Sequence, residues 1–181
     1  MRYQLCLWII GCLAASAIAR AQSKTPLFTL MKEKETGVQF INTVKEDDNL
    51  HVMSYEYLYN GHGIGVADFN GDGWLDLFFS GNMVPNKLFL NTKNFTFKDV
   101  TAEAGVKGNG KWSTGVSIAD VNGDGLPDIY VCHSGKYSNE QDLVNELFIN
   151  KGLKNGVPVF EEQAKLYGLD LPGTQSTQAA F

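Results

Sequence analysis

The chain alternates short apolar runs with breaks rich in glycine, asparagine and aspartate. GIGVAD (Gly63–Asp68) enters one such break and LDLFFS (Leu75–Ser80) leaves it. NKLFLN (Asn86–Asn91) and FTFKDVTAEAGV (Phe95–Val106) follow. Runs this short, β-branched or aromatic and closed by glycine, predict strands rather than helices. The order then repeats: a second Asp-Gly break leads to NELFIN (Asn145–Asn150) and VFEEQAKLYGL (Val159–Leu169). HSGKYSNEQDL makes the second copy seven residues longer between the break and the N-x-L-F-x-N run, an insertion of the kind that maps to a surface loop. STQAAF (Ser176–Phe181) aligns with STGVSI (Ser113–Ile118), as though a third copy were beginning. Four short strands per repeat at this period predict an all-β fold of β-propeller blades, each of four antiparallel strands, in an incomplete propeller. A β-sandwich would explain the strand spacing but not the periodicity. The expected segments are a leader at 1–21, an N-terminal strand segment at 22–60, repeats at 61–110 and 111–172, and the start of a third repeat at 173–181.

The two breaks are copies of one nine-residue loop. DFNGDGWLD (Asp68–Asp76) and DVNGDGLPD (Asp120–Asp128) both read Asp-x-Asn-x-Asp-Gly-x-x-Asp. Oxygen-bearing side chains fall at positions 1, 3, 5 and 9: Asp68, Asn70, Asp72 and Asp76, then Asp120, Asn122, Asp124 and Asp128. Calcium is a hard cation that takes six to eight oxygens, and this is an oxygen ligand set. Gly73 and Gly125 permit the sharp turn, and the main-chain carbonyls of Trp74 and Leu126 stand at position 7. Two Ca2+ sites are therefore expected. An EF-hand would need a bidentate glutamate at position 12 and flanking helices; position 12 is Phe79 or Val131, and the flanks read as strands. A simple hairpin turn needs only its Asn-Gly or Asp-Gly pair, whereas both copies hold all four side-chain ligands.

The loop, the L-F-x-N run and FTFKDVTAEAGV resemble the FG-GAP/VCBS repeats of bacterial secreted proteins and, more distantly, the β-propeller of integrin α subunits. TGVQFINT (Thr36–Thr43) followed by YNGHGIGVADFNGDGWLDLFFSGN (Tyr59–Asn82) is similar to the start of the bacterial group that often carries an ASPIC/UnbV-type domain further on. The resemblance covers Thr36 to Phe181. It implies a calcium-binding propeller, with the ten loop residues above as ligands, Trp74 and Leu126 through their carbonyls. The Gly-Ala-Pro triplet of the repeat is replaced by Ser80-Gly81-Asn82 and by Cys132-His133-Ser134, a departure that weakens the integrin comparison more than the bacterial one.

Residues 1–21 read as a secretory signal: Arg2, an apolar run from Leu5 to Ala19, and an Ala19-Arg20-Ala21 cleavage site. The run is too short and alanine-rich for a membrane span. Lipid attachment at Cys12 is disfavoured because the apolar run continues past it. The expectation is a secreted, periplasmic or cell-surface protein with no transmembrane span in the mature chain. Loss of Arg2 and Arg20 takes the formal charge from −5 to −7. The chain has no basic patch, which argues against nucleic acid. Cleavage would leave Cys132 as its one cysteine, so no internal disulfide is possible.

His51, His62 and His133 form no metal or catalytic motif, and Cys132 reads as a small buried residue. Tyr55, Tyr57 and Tyr59 alternate at strand period and predict one packed face of a strand, with presentation to a sugar as the other reading. The chain is thus expected to be a non-enzymatic extracellular binding or adhesion module for a protein or glycan. The alternative is the calcium-stabilised scaffold of a larger hydrolase or lyase whose catalytic domain lies elsewhere.

Overall fold

The computed structural model describes residues 26–135 and 140–181. The chain divides into two units, Met1–Met31 and Lys32–Phe181. In the first, residues 26–31 form no helix or strand, and the expected leader at 1–21, with Cys12, lies outside the described residues. Everything below concerns Lys32–Phe181.

Two four-stranded antiparallel sheets make up this unit. One holds β1 (Ile64–Ala67), β2 (Asp76–Phe79), β3 (Lys87–Asn91) and β4 (Phe97–Asp99); the other holds β5 (Ser113–Ala119), β6 (Asp128–His133), β7 (Glu146–Lys154) and β8 (Val157–Glu162). Strand order follows chain order in each, so each sheet is a meander. One-turn helices α2 (Thr101–Ala104) and α3 (Ala164–Tyr167) follow the fourth strands, and α1 (Glu33–Thr36) precedes the first sheet. The fold is all-β, with two successive propeller-like blades that do not close into a ring. The repeat extends to the register: Ala67 pairs with Asp76 and Leu77 with Phe89, as Ala119 pairs with Asp128 and Ile129 with Phe148. Positions 12 of the two loops, Phe79 and Val131, lie in β2 and β6, so strands flank both loops and the EF-hand geometry is absent.

The core lies between the blades. Phe69, Phe78, Leu88 and Val100 of the first pack with Val116, Ile129, Phe148 and Phe160 of the second, and the Phe69 and Phe160 rings meet edge to face at 5.9 Å. Each such side chain contributes about 1.5–3 kcal/mol on burial, so the blades stabilise each other. A second cluster of Tyr130, Cys132, Leu147, Ile149 and Ala164 occupies the far face of the second blade. Burial pushes the Cys132 thiol up to about 11, which keeps it a packed, protonated side chain.

Adjacent units meet through glycine. A Cβ on Gly63 would lie 2.5 Å from the Val116 nitrogen, and one on Gly115 would lie 2.5 Å from the Thr177 carbonyl oxygen. Gly115 also sits where the β5–β6 register shifts, as expected of a strand glycine at a bulge or close approach. Ser113 N–H donates to the Gly81 carbonyl, and Ser176 N–H donates to the His133 carbonyl. Residues 176–179 therefore lie against β5 much as β5 lies against β1.

Segment 22–60 differs from expectation. Over its described residues it forms no strand. Exposure alternates along residues 36–44, but their hydrogen bonds and ring contacts with the first blade are made through side chains: Phe40 stacks on Phe79, and Asn42 bonds Asn82. The tyrosine run lies in consecutive turns, in which Leu58 N–H donates to the Tyr55 carbonyl and Asn60 N–H to that of Tyr57. With those amides satisfied locally, no ladder can form there.

Gly63→Val should lower stability by about 1–3 kcal/mol, the cost of overpacking a close contact, because the backbone of Val116 cannot yield as a side-chain tip could. Urea unfolding of the variant beside the parent chain measures this, with a reduced midpoint as the expected outcome.

Candidate functional site

Each Asp-x-Asn-x-Asp-Gly loop joins the first two strands of its blade, and its own backbone organises its oxygens. In the first, Asp72 N–H and Gly73 N–H donate to the two carboxylate oxygens of Asp68 at 3.0 and 2.7 Å. Asp72 N–H is also 3.1 Å from Asn70 Oδ1, and Trp74 N–H donates to Asp72 Oδ1. The second loop repeats the set: Asp124 N–H and Gly125 N–H to Asp120, Asp124 N–H to Asn122, and Leu126 N–H to Asp124. Both glycines of each Asn-Gly-Asp-Gly run hold positive φ, 72° and 87° in one loop and 76° and 84° in the other. The coil thus needs the position-4 glycine, Gly71 or Gly123, as much as the position-6 glycine read from sequence.

Position 9 behaves differently from the rest. Asp76 and Asp128 are fully buried. Asp76 accepts from Phe69 N–H at 2.9 Å and Asn91 N–H at 2.8 Å, one on each oxygen. Asp128 accepts from Val121 and Asn150 N–H at the same two distances. The carboxylate thereby ties the loop's second residue to the blade's third strand, at Asn91, the last residue of β3, and at Asn150, beside the irregularity within β7. Desolvation pushes the Asp76 carboxyl up to about 6, the two backbone donors oppose this, and the charges of Asp72 and Asp68 add to the rise. Asp128 is raised for the same reasons, with Asp124 and Asp120 as its charged neighbours.

The asparagines bounding the N-x-L-F-x-N strands complete this framework, a role not read from the sequence. Asn91 donates from its side chain to the Leu75 carbonyl; Asn150 donates to Phe69 and Pro127 carbonyls and so reaches across to the first blade. At the other end Asn86 accepts from Gly81 N–H, and Asn145 accepts from His133 N–H. Recurrence of Asn at both ends of the two copies was the available signal.

Three features bear on whether the loops suit a hard cation. Among the described residues no lysine or arginine is ion-paired with any loop aspartate. The carbonyls of Trp74 and Leu126 accept no hydrogen bond there, so position 7 is free to ligate. Trp74 is also exposed and has the Lys93 ammonium 5.9 Å from its ring centre. Against these, no three His, Cys, Asp or Glu side chains among the described residues gather closely enough to hold a metal ion. The donor chemistry fits calcium, and the carboxylates stand apart.

Family comparison meets this geometry directly. The FG-GAP-like repeat family matches residues 57–131, a span holding both loops, the whole first blade and β5 with the start of β6. Residues 57–131 are similar to an FG-GAP-like repeat. Over 69 residues the chain is 39% identical to cartilage acidic protein 1 of Mus musculus and 38% identical to that of Homo sapiens. Identity to the Xenopus tropicalis protein is 36%. The aligned stretch is 38% of this chain and only 10–11% of those relatives. The matched span contains both loops, and no helix among the described residues is long and apolar enough to cross a membrane.

His133 invites a catalytic comparison and does not meet it. It is buried, with Nε2 at 3.4 Å from both Ser113 Oγ and Glu146 Oε2, and its Nδ1 has no partner among the described residues. A nucleophile relay uses the two ring nitrogens for two different partners. Here both partners crowd one nitrogen, in a cluster shut away from solvent.

In chelator, Asp128→Ala should destabilise the chain by about 1–3 kcal/mol for each amide left without its acceptor, while Asp128→Asn should lose less by keeping one. Calorimetric melting of both variants measures the clamp apart from any metal.

Proposed function

We propose that the chain is part of a secreted, calcium-stabilised FG-GAP-repeat module that binds an extracellular protein or glycan and performs no catalysis itself. The carrying observation is the pair of matched loops, each with three aspartates unpaired with any basic side chain and a free position-7 carbonyl. Carboxylates so placed repel one another, and a divalent cation relieves the repulsion. Asp68, Asn70 and Asp72, and their counterparts Asp120, Asn122 and Asp124, would supply side-chain oxygens. Trp74 and Leu126 would supply carbonyls, and Asp76 and Asp128 would anchor the coil and lend their remaining lone pairs. Calcium supplies positive charge and a rigid centre, and binding requires the loop carboxylates to draw together. The apolar start of the sequence supports export through a cleaved signal to a secreted, periplasmic or cell-surface location.

Calcium should raise the melting temperature relative to chelator at matched ionic strength. Each occupied site adds about 2.7 kcal/mol at a calcium concentration about 100 times the dissociation constant. Asp72→Ala and Asp124→Ala should each reduce titration calorimetry from two sites to one. Both residues are exposed, so their loss should leave melting in chelator nearly unchanged. Equal melting of the parent chain with and without calcium would refute the reading.

A further inference from the structure

At the opposite end of β1 and β5 from the aspartate loops, the chain encloses an open cleft of about 1100 Å³. This is just above the usual size of small-molecule sites. Its walls come from the turns before β1, the start of β5 and the segment around Gln175–Gln178. Tyr55 is held half-buried at the cleft, edge to face with the buried Trp112 at 5.7 Å and 90°, and 6.0 Å from Tyr57 at 71°. Tyr57 is 55% exposed, too open for a side chain whose role is packing. The unused polar atoms are neutral. Among the described residues the hydroxyls of Tyr55 and Tyr57 and the side-chain amide of Asn60 have no hydrogen-bond partner, and His62 uses only Nδ1, toward the Gly63 carbonyl. Among the described residues Glu56 is the one formal charge on the walls, and no lysine or arginine lines them.

We infer that this cleft is a binding site for a neutral oligosaccharide of two or three rings. Sugar rings present apolar C–H faces and a rim of hydroxyls. Tyr55 and Tyr57 offer the matching combination of flat apolar surface and polar tip, with Trp112 backing Tyr55, and Asn60, His62 and the two phenols provide donors and acceptors. Glu56 disfavours acidic sugars, and the described walls hold no cation to receive them. A small ammonium ligand would leave most of the volume empty and the neutral hydrogen-bonding groups unused. The inference rests on reading the chain as a binding module, and it assigns the bound class and its place.

The test is titration calorimetry of the full chain with maltotriose, cellotriose, laminaritriose, chitotriose and mannotriose, with trigalacturonate as the acidic probe and choline as the cationic one. Saturable binding of at least one neutral trisaccharide, one per chain, is expected, with neither charged probe binding. Tyr57→Ala should weaken it at least about tenfold without lowering the melting temperature, and Tyr57→Phe, which keeps the ring, should restore most of it. Silence across the neutral panel overturns the inference, as does preferential binding of trigalacturonate or choline, or binding indifferent to Tyr57→Ala. Titrations in calcium and in chelator separate the two readings. Sugar binding without calcium stabilisation sinks only the metal proposal, and calcium stabilisation without sugar binding sinks only the cleft.

Discussion

A buried carboxylate at the ninth loop position governs the geometry of each blade. Removing a charged oxygen pair from water is costly unless hydrogen bonds compensate it, and Asp76 and Asp128 each receive one backbone amide on each oxygen. Those amides come from the loop's second residue and the last asparagine of the third motif strand. The bond pair therefore fixes where the loop begins relative to the sheet's third strand, and with it the curl of Asp68–Asp72 and Asp120–Asp124. Asn91 and Asn150 return the contact by bonding carbonyls near the same loops, and Asn150 carries it across to Phe69 of the first blade. Loop, strand ends and blade interface thus share one polar network.

The same repeat geometry separates two kinds of surface. At one end of β1 and β5 lie paired acidic coils, which are shaped by backbone amides and have no basic partner among the described residues. At the other end lie the turn-borne tyrosines, Trp112 and the polar residues near Gln178, around an open cleft. Close approach at Gly63 and Gly115 connects the ends, because innermost segments that lack a Cβ there can lie flush.

Sequence pattern revealed the strands, their grouping in fours and the loop positions because each depends on local chemistry: short β-branched or aromatic runs closed by glycine, Asp-Gly turns and their recurrence 52 residues apart. Phe79 and Val131 correctly argued for strands after the loops. What depends on contacts distant in sequence was hidden. Asp76 reads in sequence as another oxygen ligand, and its two amide partners lie 7 and 15 residues away. Tyr55, Tyr57 and Tyr59 alternate as a strand would, yet local turns capture their backbone. Tyr55 finds Trp112, 57 positions later, across the cleft.

Amide hydrogen exchange of the full chain, followed with calcium and with chelator, tests the account most directly. The clamp amides of Phe69, Asn91, Val121 and Asn150 should exchange slowly in both conditions. Those of Asp72, Gly73, Asp124 and Gly125 should slow sharply only when calcium is present. Loop amides indifferent to calcium, or clamp amides that exchange as fast as the loops in chelator, would contradict it.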